Sequence, residues 1–225
     1  MEVNPVRSLN FQPPEKAGKG MRVLCVGAHA DDIEIGCGGT LLHLLGKRPG
    51  TEVDWVVFTS DGSRAEEARS AAAAFLENAG TSRVTVLDFE DGFLPHRWDA
   101  VKRKFEELKS SCDPDLIFTH CEQDRHQDHR VVNELTWNTF RNHTILEYEI
   151  PKFDGDLGNP SVFVPLDDSA VARKISVLLD CYQTQRDKHW FDEETFRSIC
   201  RIRGLECRSP SGYAEAFHAR KLVLF

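Results

Sequence analysis

Several common signatures are missing from this 225-residue sequence. No two of its seven cysteines stand as C-x-x-C and their number is odd, which argues against both a thiolate zinc site and a disulfide framework. No apolar run approaches the roughly 20 residues of a membrane span. The stretch up to Gly20 is polar, with Pro13 and Pro14 side by side, and lacks the apolar segment of a secretory leader. A cytoplasmic protein without a membrane span is therefore expected. Positive charge is also short, with 28 Lys and Arg against 36 Asp and Glu, and the formal net charge of -8 repels a phosphate backbone. No local basic patch offsets it, so nucleic acid is set aside and a small-molecule partner preferred. Association into a homo-oligomer is left open.

What the sequence does contain is alternation. Residues 1–20 have no sustained periodicity and read as an N-terminal tail, and a single domain is expected over 21–225. Short β-branched and apolar runs mark strands at Arg22–Gly27, Glu52–Thr59, Arg83–Leu87, Asp115–Thr119 and Thr144–Ile150, with a short edge strand at Ser161–Pro165. Helical patterns fall between them at Thr40–Leu45, Arg64–Asn78, Trp98–Ser111 and residues 128–141, and again at Ser169–Tyr182, which a serine cap opens. A helix near Glu193–Arg201 and a strand at Glu215–His218 complete the reading. Strands alternating with helices predict a single Rossmann-like α/β domain, its mainly parallel sheet covered by helices on both faces.

In such sheets ligands bind beyond the carboxyl ends of the strands. Two strand ends carry unusual chemistry. After the first comes Ala28-His29-Ala30-Asp31-Asp32-Ile33-Glu34-Ile35-Gly36-Cys37-Gly38-Gly39-Thr40; after Asp115–Thr119 comes His120-Cys121-Glu122-Gln123-Asp124-Arg125-His126-Gln127-Asp128-His129. His126 and His129 are three apart where a helix begins, so they share a face and can aim at one point. His29 and Asp32 are the obvious further donors for an open catalytic metal site. The glycines of the first loop do not form G-x-G-x-x-G at the strand end, and His29, Asp31 and Asp32 would repel a pyrophosphate, so a dinucleotide is not expected.

The two stretches A-H-A-D-D-I-E-I-G-C-G-G-T and D-R-H-Q-D-H resemble the paired signatures of the LmbE-like, or PIG-L, N-acetylglucosaminyl deacetylases. Weaker matches are Arg64 with Glu67, Tyr148-Glu149-Ile150-Pro151 and Ala214-Glu215-Ala216-Phe217. The resemblance implies an LmbE-like fold and a zinc-dependent hydrolase that frees an amine and acetate from an N-acetylated amino sugar or GlcNAc-containing conjugate. It further implies that His29, Asp32 and His129 are metal ligands, for Zn2+ or alternatively Fe2+. Asp31 would be the base, His126 an imidazolium that stabilises the oxyanion, Asp128 the group that holds His126 charged, and Arg64 a contact for substrate oxygens. The sequence departs from the pattern at Ala30, where the family has proline. Two alternatives stand beside this reading: a zinc amidase acting on another N-acyl compound, and a non-enzymatic metal- or nucleotide-binding module.

Overall fold

The computed structural model describes residue 6 and residues 20–223. Apart from Val6 and Gly20, the tail expected over residues 1–20 lies outside the described residues. The chain builds one seven-stranded sheet in the order β3-β2-β1-β4-β5-β7-β6, from β1 (Arg22–Gly27), β2 (Glu52–Thr59), β3 (Thr81–Phe89), β4 (Leu116–His120), β5 (Thr144–Tyr148), β6 (Val162–Leu166) and β7 (Tyr213–His218). β1 through β5 pair in parallel, whereas β7 runs antiparallel to both β5 and β6.

The strands are two-faced because successive side chains point to opposite sides. In β1, Val23 and Cys25 enter one core while Leu24 and Val26 enter the other; in β2, Val53, Trp55 and Val57 oppose Val56 and Phe58. The first core is closed by α1 (Asp32–Lys47), α2 (Gly62–Phe75), α5 (Asp168–Cys181) and α6 (Glu193–Glu206), which bring Ile33, Phe75, Ile175 and Phe196. The second is closed by α3 (Trp98–Ser111) and α4 (Gln127–Thr139), through Phe105, Val132 and Leu135. Helices therefore cover both faces, as the alternation predicts.

Most boundaries agree with the sequence reading to within three residues, but α6 runs five residues further, to Glu206, and α1 begins at Asp32 rather than Thr40. Its glycines are the reason. A Cβ on Gly36 would collide with the Tyr148 ring, one on Gly38 would stand 2.6 Å from Phe75, and one on Gly39 would stand 2.5 Å from Leu166. The run expected to be loop is a helix stripped of side chains so that it packs directly on its neighbours. The cap of α5 also differs: Asp167, not Ser169, is the N-cap, with no side-chain bond to the helix.

Sheet order fixes where a ligand belongs. The chain passes from β1 outward to β2 and β3, then returns to place β4 on the other side of β1. β1 is followed by a helix on one face and β4 by a helix on the other, and in such sheets a ligand is expected beyond the strand ends at this switch point.

Candidate metal centre

The turn after β1 is pinned on both sides. The Ala28 carbonyl accepts from the backbone N–H and the hydroxyl of Thr59, both at 2.8 Å, and its N–H donates to Nε2 of His120 at 2.9 Å. Tyr182 reaches over from the end of α5 to donate to the Ala30 carbonyl and lies 2.5 Å from Oε1 of the buried Glu34. This tether holds the loop at the position where proline would otherwise stiffen it. Asp31 is the N-cap of α1 yet makes no side-chain cap bond, so its carboxylate is not spent on ending the helix.

His29, Asp32 and His129, separated in sequence by as much as one hundred positions, meet in a triangle. His29 Nδ1 is 3.0 Å from His129 Nε2 and 3.3 Å from Asp32 Oδ2, and His129 Nε2 is 3.5 Å from Asp32 Oδ1. Ligands about 2.0–2.1 Å from a tetrahedral ion stand roughly 3.3 Å apart, and the three edges are of that order, with Asp32 turning Oδ2 to His29 and Oδ1 to His129. The outer faces of the rings support the same reading. His129 Nδ1 lies 2.8 Å from Asp124 Oδ2; His29 Nε2 lies 3.0 Å from Asp91 Oδ1 and 3.3 Å from Asp128 Oδ2. Carboxylates only accept, so these outer nitrogens carry the hydrogens. In the neutral rings, the facing nitrogens therefore both bear lone pairs, 3.0 Å apart. Such a contact needs a cation between them.

Without metal that cation is a proton. Burial opposes a charge on His29, yet Asp32, Asp128 and Asp91 together raise its pKa well above the usual value. Burial and the neighbouring His120 hold His129 down at about 3. Burial disfavours ionised Asp32 as well, but the imidazoles of His129, His120 and His29 hold it well below the ordinary carboxyl range. A divalent ion would displace the His29 proton, which is how metal sites acquire their pH dependence. The residues present thus fit a divalent metal.

Among the described residues three overlapping donor groups have ligand atoms within 4.8 Å of one another: His29, His126 and His129; Asp32, His120 and His129; and His29, Asp91 and Asp128. His120 is the weaker donor, because its Nε2 accepts the Ala28 amide and its ring stacks on His129 at 3.8 Å between centroids.

Asp31 is buried beside this triangle. One oxygen, Oδ1, lies 3.6 Å from the Arg64 guanidinium, and the other, Oδ2, has no hydrogen-bond partner among the described residues. Burial and the adjacent Asp32 push its pKa up, while Arg64 pulls it back. Arg64 also reaches Asp91 at 3.4 Å, so the structure brings it against the site's acids. Arg64 and Glu67, three apart on α2, show no ion pair with each other among the described residues: Glu67 accepts from the amide and hydroxyl of Thr184.

His126 and Asp128 differ from the sequence expectation. The Asp128 carboxylate, fully buried, accepts from the amides of Gly92 and Leu94 at 2.7 and 3.1 Å and approaches His29. It meets His126 only through its backbone N–H, which donates to Nδ1 at 3.3 Å. An imidazole that accepts at Nδ1 is neutral, with its hydrogen at Nε2. Burial and the charge of His29 likewise lower the His126 pKa. Asp128 therefore lies against His29 and anchors the loop after β3, and it is its backbone N–H rather than its carboxylate that meets His126.

Two site residues escaped the sequence reading. Asp124 lies inside the quoted D-R-H-Q-D-H stretch, five residues before the histidine it orients, and was assigned no role. Asp91 follows β3, so the strand-end rule alone would have flagged it.

The chain is similar to several known proteins. The family model described as GlcNAc-PI de-N-acetylase (PIG-L) matches residues 24–140, just over half of the chain and including both metal-site loops. An uncharacterized deacetylase of Escherichia coli K12, YaiS, is 32% identical over 148 residues, covering 60% of this chain and 77% of its own. Among solved structures, the N,N'-diacetylchitobiose deacetylase of Pyrococcus horikoshii superposes with a TM-score of 0.65 at 20% identity, covering 93% of this chain and 87% of its own. The 4-carboxy-2-hydroxymuconate hydratase of Pseudomonas putida KT2440 reaches 0.71 at 18% identity, covering 91% and 98%. At these identities the two solved structures speak to the fold alone, which hosts more than one reaction. The sequence matches go further, and on them the chain belongs to the PIG-L family of deacetylases.

Proposed function

We propose that this protein is a zinc-dependent N-deacetylase that removes the acetyl group from an amino sugar or GlcNAc-containing conjugate, with His29, Asp32 and His129 as the metal ligands. Ferrous iron suits the same two-histidine, one-carboxylate set. The observation that carries the reading is the unpartnered, buried Oδ2 of Asp31 beside the ligand triangle. Hydrolysis needs a proton acceptor beside the metal, and this atom is free to serve as one.

Zinc held by His29, Asp32 and His129 would supply a Lewis acid for the amide carbonyl and would lower the pKa of a nearby water toward neutral pH. Asp31 accepts the proton of the attacking water at Oδ2 and passes it to the departing nitrogen. Arg64 keeps Asp31 ionised for the first transfer. His126 donates from Nε2 to the oxygen that becomes negative as water adds to the carbonyl, which requires a donor rather than a full charge. Asp124 and Asp128 keep His129 and His29 in the tautomers that present lone pairs inward. The description of the matched family, GlcNAc-PI de-N-acetylase, and the name of the chitobiose deacetylase favour an N-acetyl sugar as substrate.

The test is metal analysis of the purified protein together with amine release from N-acetylglucosamine, N,N'-diacetylchitobiose and larger GlcNAc conjugates. One zinc per chain is expected, with turnover lost to a chelator and restored by zinc. Release only from acylated compounds that are not sugars would move the substrate to another amide. Protein that takes up no metal and releases no amine would be a non-enzymatic member of the family.

A further inference from the structure

Asp124 is not alone behind His129. The same Oδ2 that stands 2.8 Å from His129 Nδ1 stands 3.0 Å from Lys152 Nζ, on the loop after β5. Lys152 also contacts Asp156 Oδ2 at 2.6 Å, and its side chain is 8% exposed against 2% for Asp124 and 5% for Asp156. Two nearly buried carboxylates thus converge on one ammonium, and one of them orients a residue of the ligand triangle. The other oxygen of Asp124 accepts the His126 amide at 2.8 Å, so the carboxylate holds both histidines of the β4 loop at once.

A lysine in this position has a bland explanation as a staple for the loop. That loop is already fastened elsewhere. Glu149 accepts from the Gly158 amide at 2.7 Å and pairs with Arg203 at 2.8 Å, while Asp156 accepts the Arg125 amide at 2.8 Å. The contact that no other group duplicates is the one to Asp124 Oδ2. We propose that Lys152 is a positioning residue for the metal centre: by sharing Asp124 Oδ2 with His129, it keeps that carboxylate on Nδ1–H and so keeps the Nε2 lone pair aimed at the ion. Removing the ammonium leaves Asp124 and Asp156 as two uncompensated neighbours, and Asp124 relieves the repulsion by turning from His129. This inference rests on the metal reading above.

The experiment measures zinc affinity of the metal-free protein by competition with a chelating dye, alongside its thermal unfolding. Lys152→Met is expected to weaken zinc by about 10–100-fold, the usual cost of losing the group behind a histidine ligand. Lys152→Arg should recover part of that loss. Asp156→Asn, which loosens the loop but leaves the lysine on Asp124, should stay within about 3-fold of wild type. Lys152→Gln serves the same comparison if methionine impairs folding. Unchanged zinc affinity in Lys152→Met, or an equal loss in Asp156→Asn, overturns the positioning role. Wild-type protein that binds no zinc overturns the metal reading and this inference with it.

Discussion

Asp31→Asn separates the proposed chemistry from the architecture around it. The carboxylate makes no cap bond to α1, and its Oδ2 has no partner among the described residues, so asparagine of nearly the same shape removes no hydrogen bond seen here. In metal-free protein the substitution should be stabilising at neutral pH. Burial first, and the Asp32 charge second, raise the Asp31 pKa above its ordinary value, with Arg64 opposing. Well below the unfolded pKa of about 3.9 the group is neutral in folded and unfolded chains alike and contributes nothing. As pH rises the unfolded chain ionises first, and native stability is lost progressively until the raised folded pKa is passed. Asparagine never ionises, so melting curves should coincide at low pH and separate above it, the variant being more stable. A tenfold change in proton affinity is about 1.4 kcal/mol, which is roughly 3–6 °C in a chain of this length. Turnover on an N-acetyl substrate should meanwhile fall by about 10²–10⁴ through loss of the proton acceptor, with zinc still bound. Turnover near wild type would refute the base assignment. A metal-free variant less stable than wild type at neutral pH would show that Asp31 is a structural carboxylate after all.

Two further perturbations probe the frame that holds the site. Tyr182→Phe removes the hydroxyl that bonds the Ala30 carbonyl and Glu34, leaving buried acceptors unsatisfied, and should cost about 1–3 kcal/mol in chemical denaturation while lowering turnover. An unchanged denaturation midpoint would mean the tether does not hold the loop. Lys174→Met leaves Glu215 buried without its partner at 2.6 Å, although Glu215 still accepts from the Gly39 and Thr40 amides. Breaking one side of such a pair costs about 3–5 kcal/mol, or roughly 6–20 °C in Tm; a loss under about 2 °C would show that the pair contributes little.

The fold was legible because its signals are local. The strand runs at Arg22–Gly27 and Glu52–Thr59 match the structure residue for residue, as does the helix Trp98–Ser111. Periodicity of 2 or 3.6 is written in consecutive residues and survives any tertiary context that buries the corresponding face. It failed where a local signal had a distant cause. Gly36, Gly38 and Gly39 read as loop because the rings and side chains that require them, on Tyr148, Phe75 and Leu166, come from other elements.

The site divides in the same way. The order of residues on two short loops was enough to nominate His29, Asp32, His126 and His129 as donors, since each loop carries its own density of imidazole and carboxylate at a strand end, whereas Asp31 was nominated as a base only through the family resemblance. Their partners were decided only by tertiary structure. Asp128 neighbours His129 in sequence yet turns its carboxylate to His29, because the loop after β3 offers it the Gly92 and Leu94 amides. Asp91, Lys152 and Tyr182 enter from the loops after β3 and β5 and from the end of α5, brought near by a sheet order that no single segment encodes. The sequence by itself thus determined the donor types, whose chemistry is intrinsic. Which nitrogen holds a proton and which holds a lone pair depends on what each ring touches, and only the assembled sheet determines those contacts.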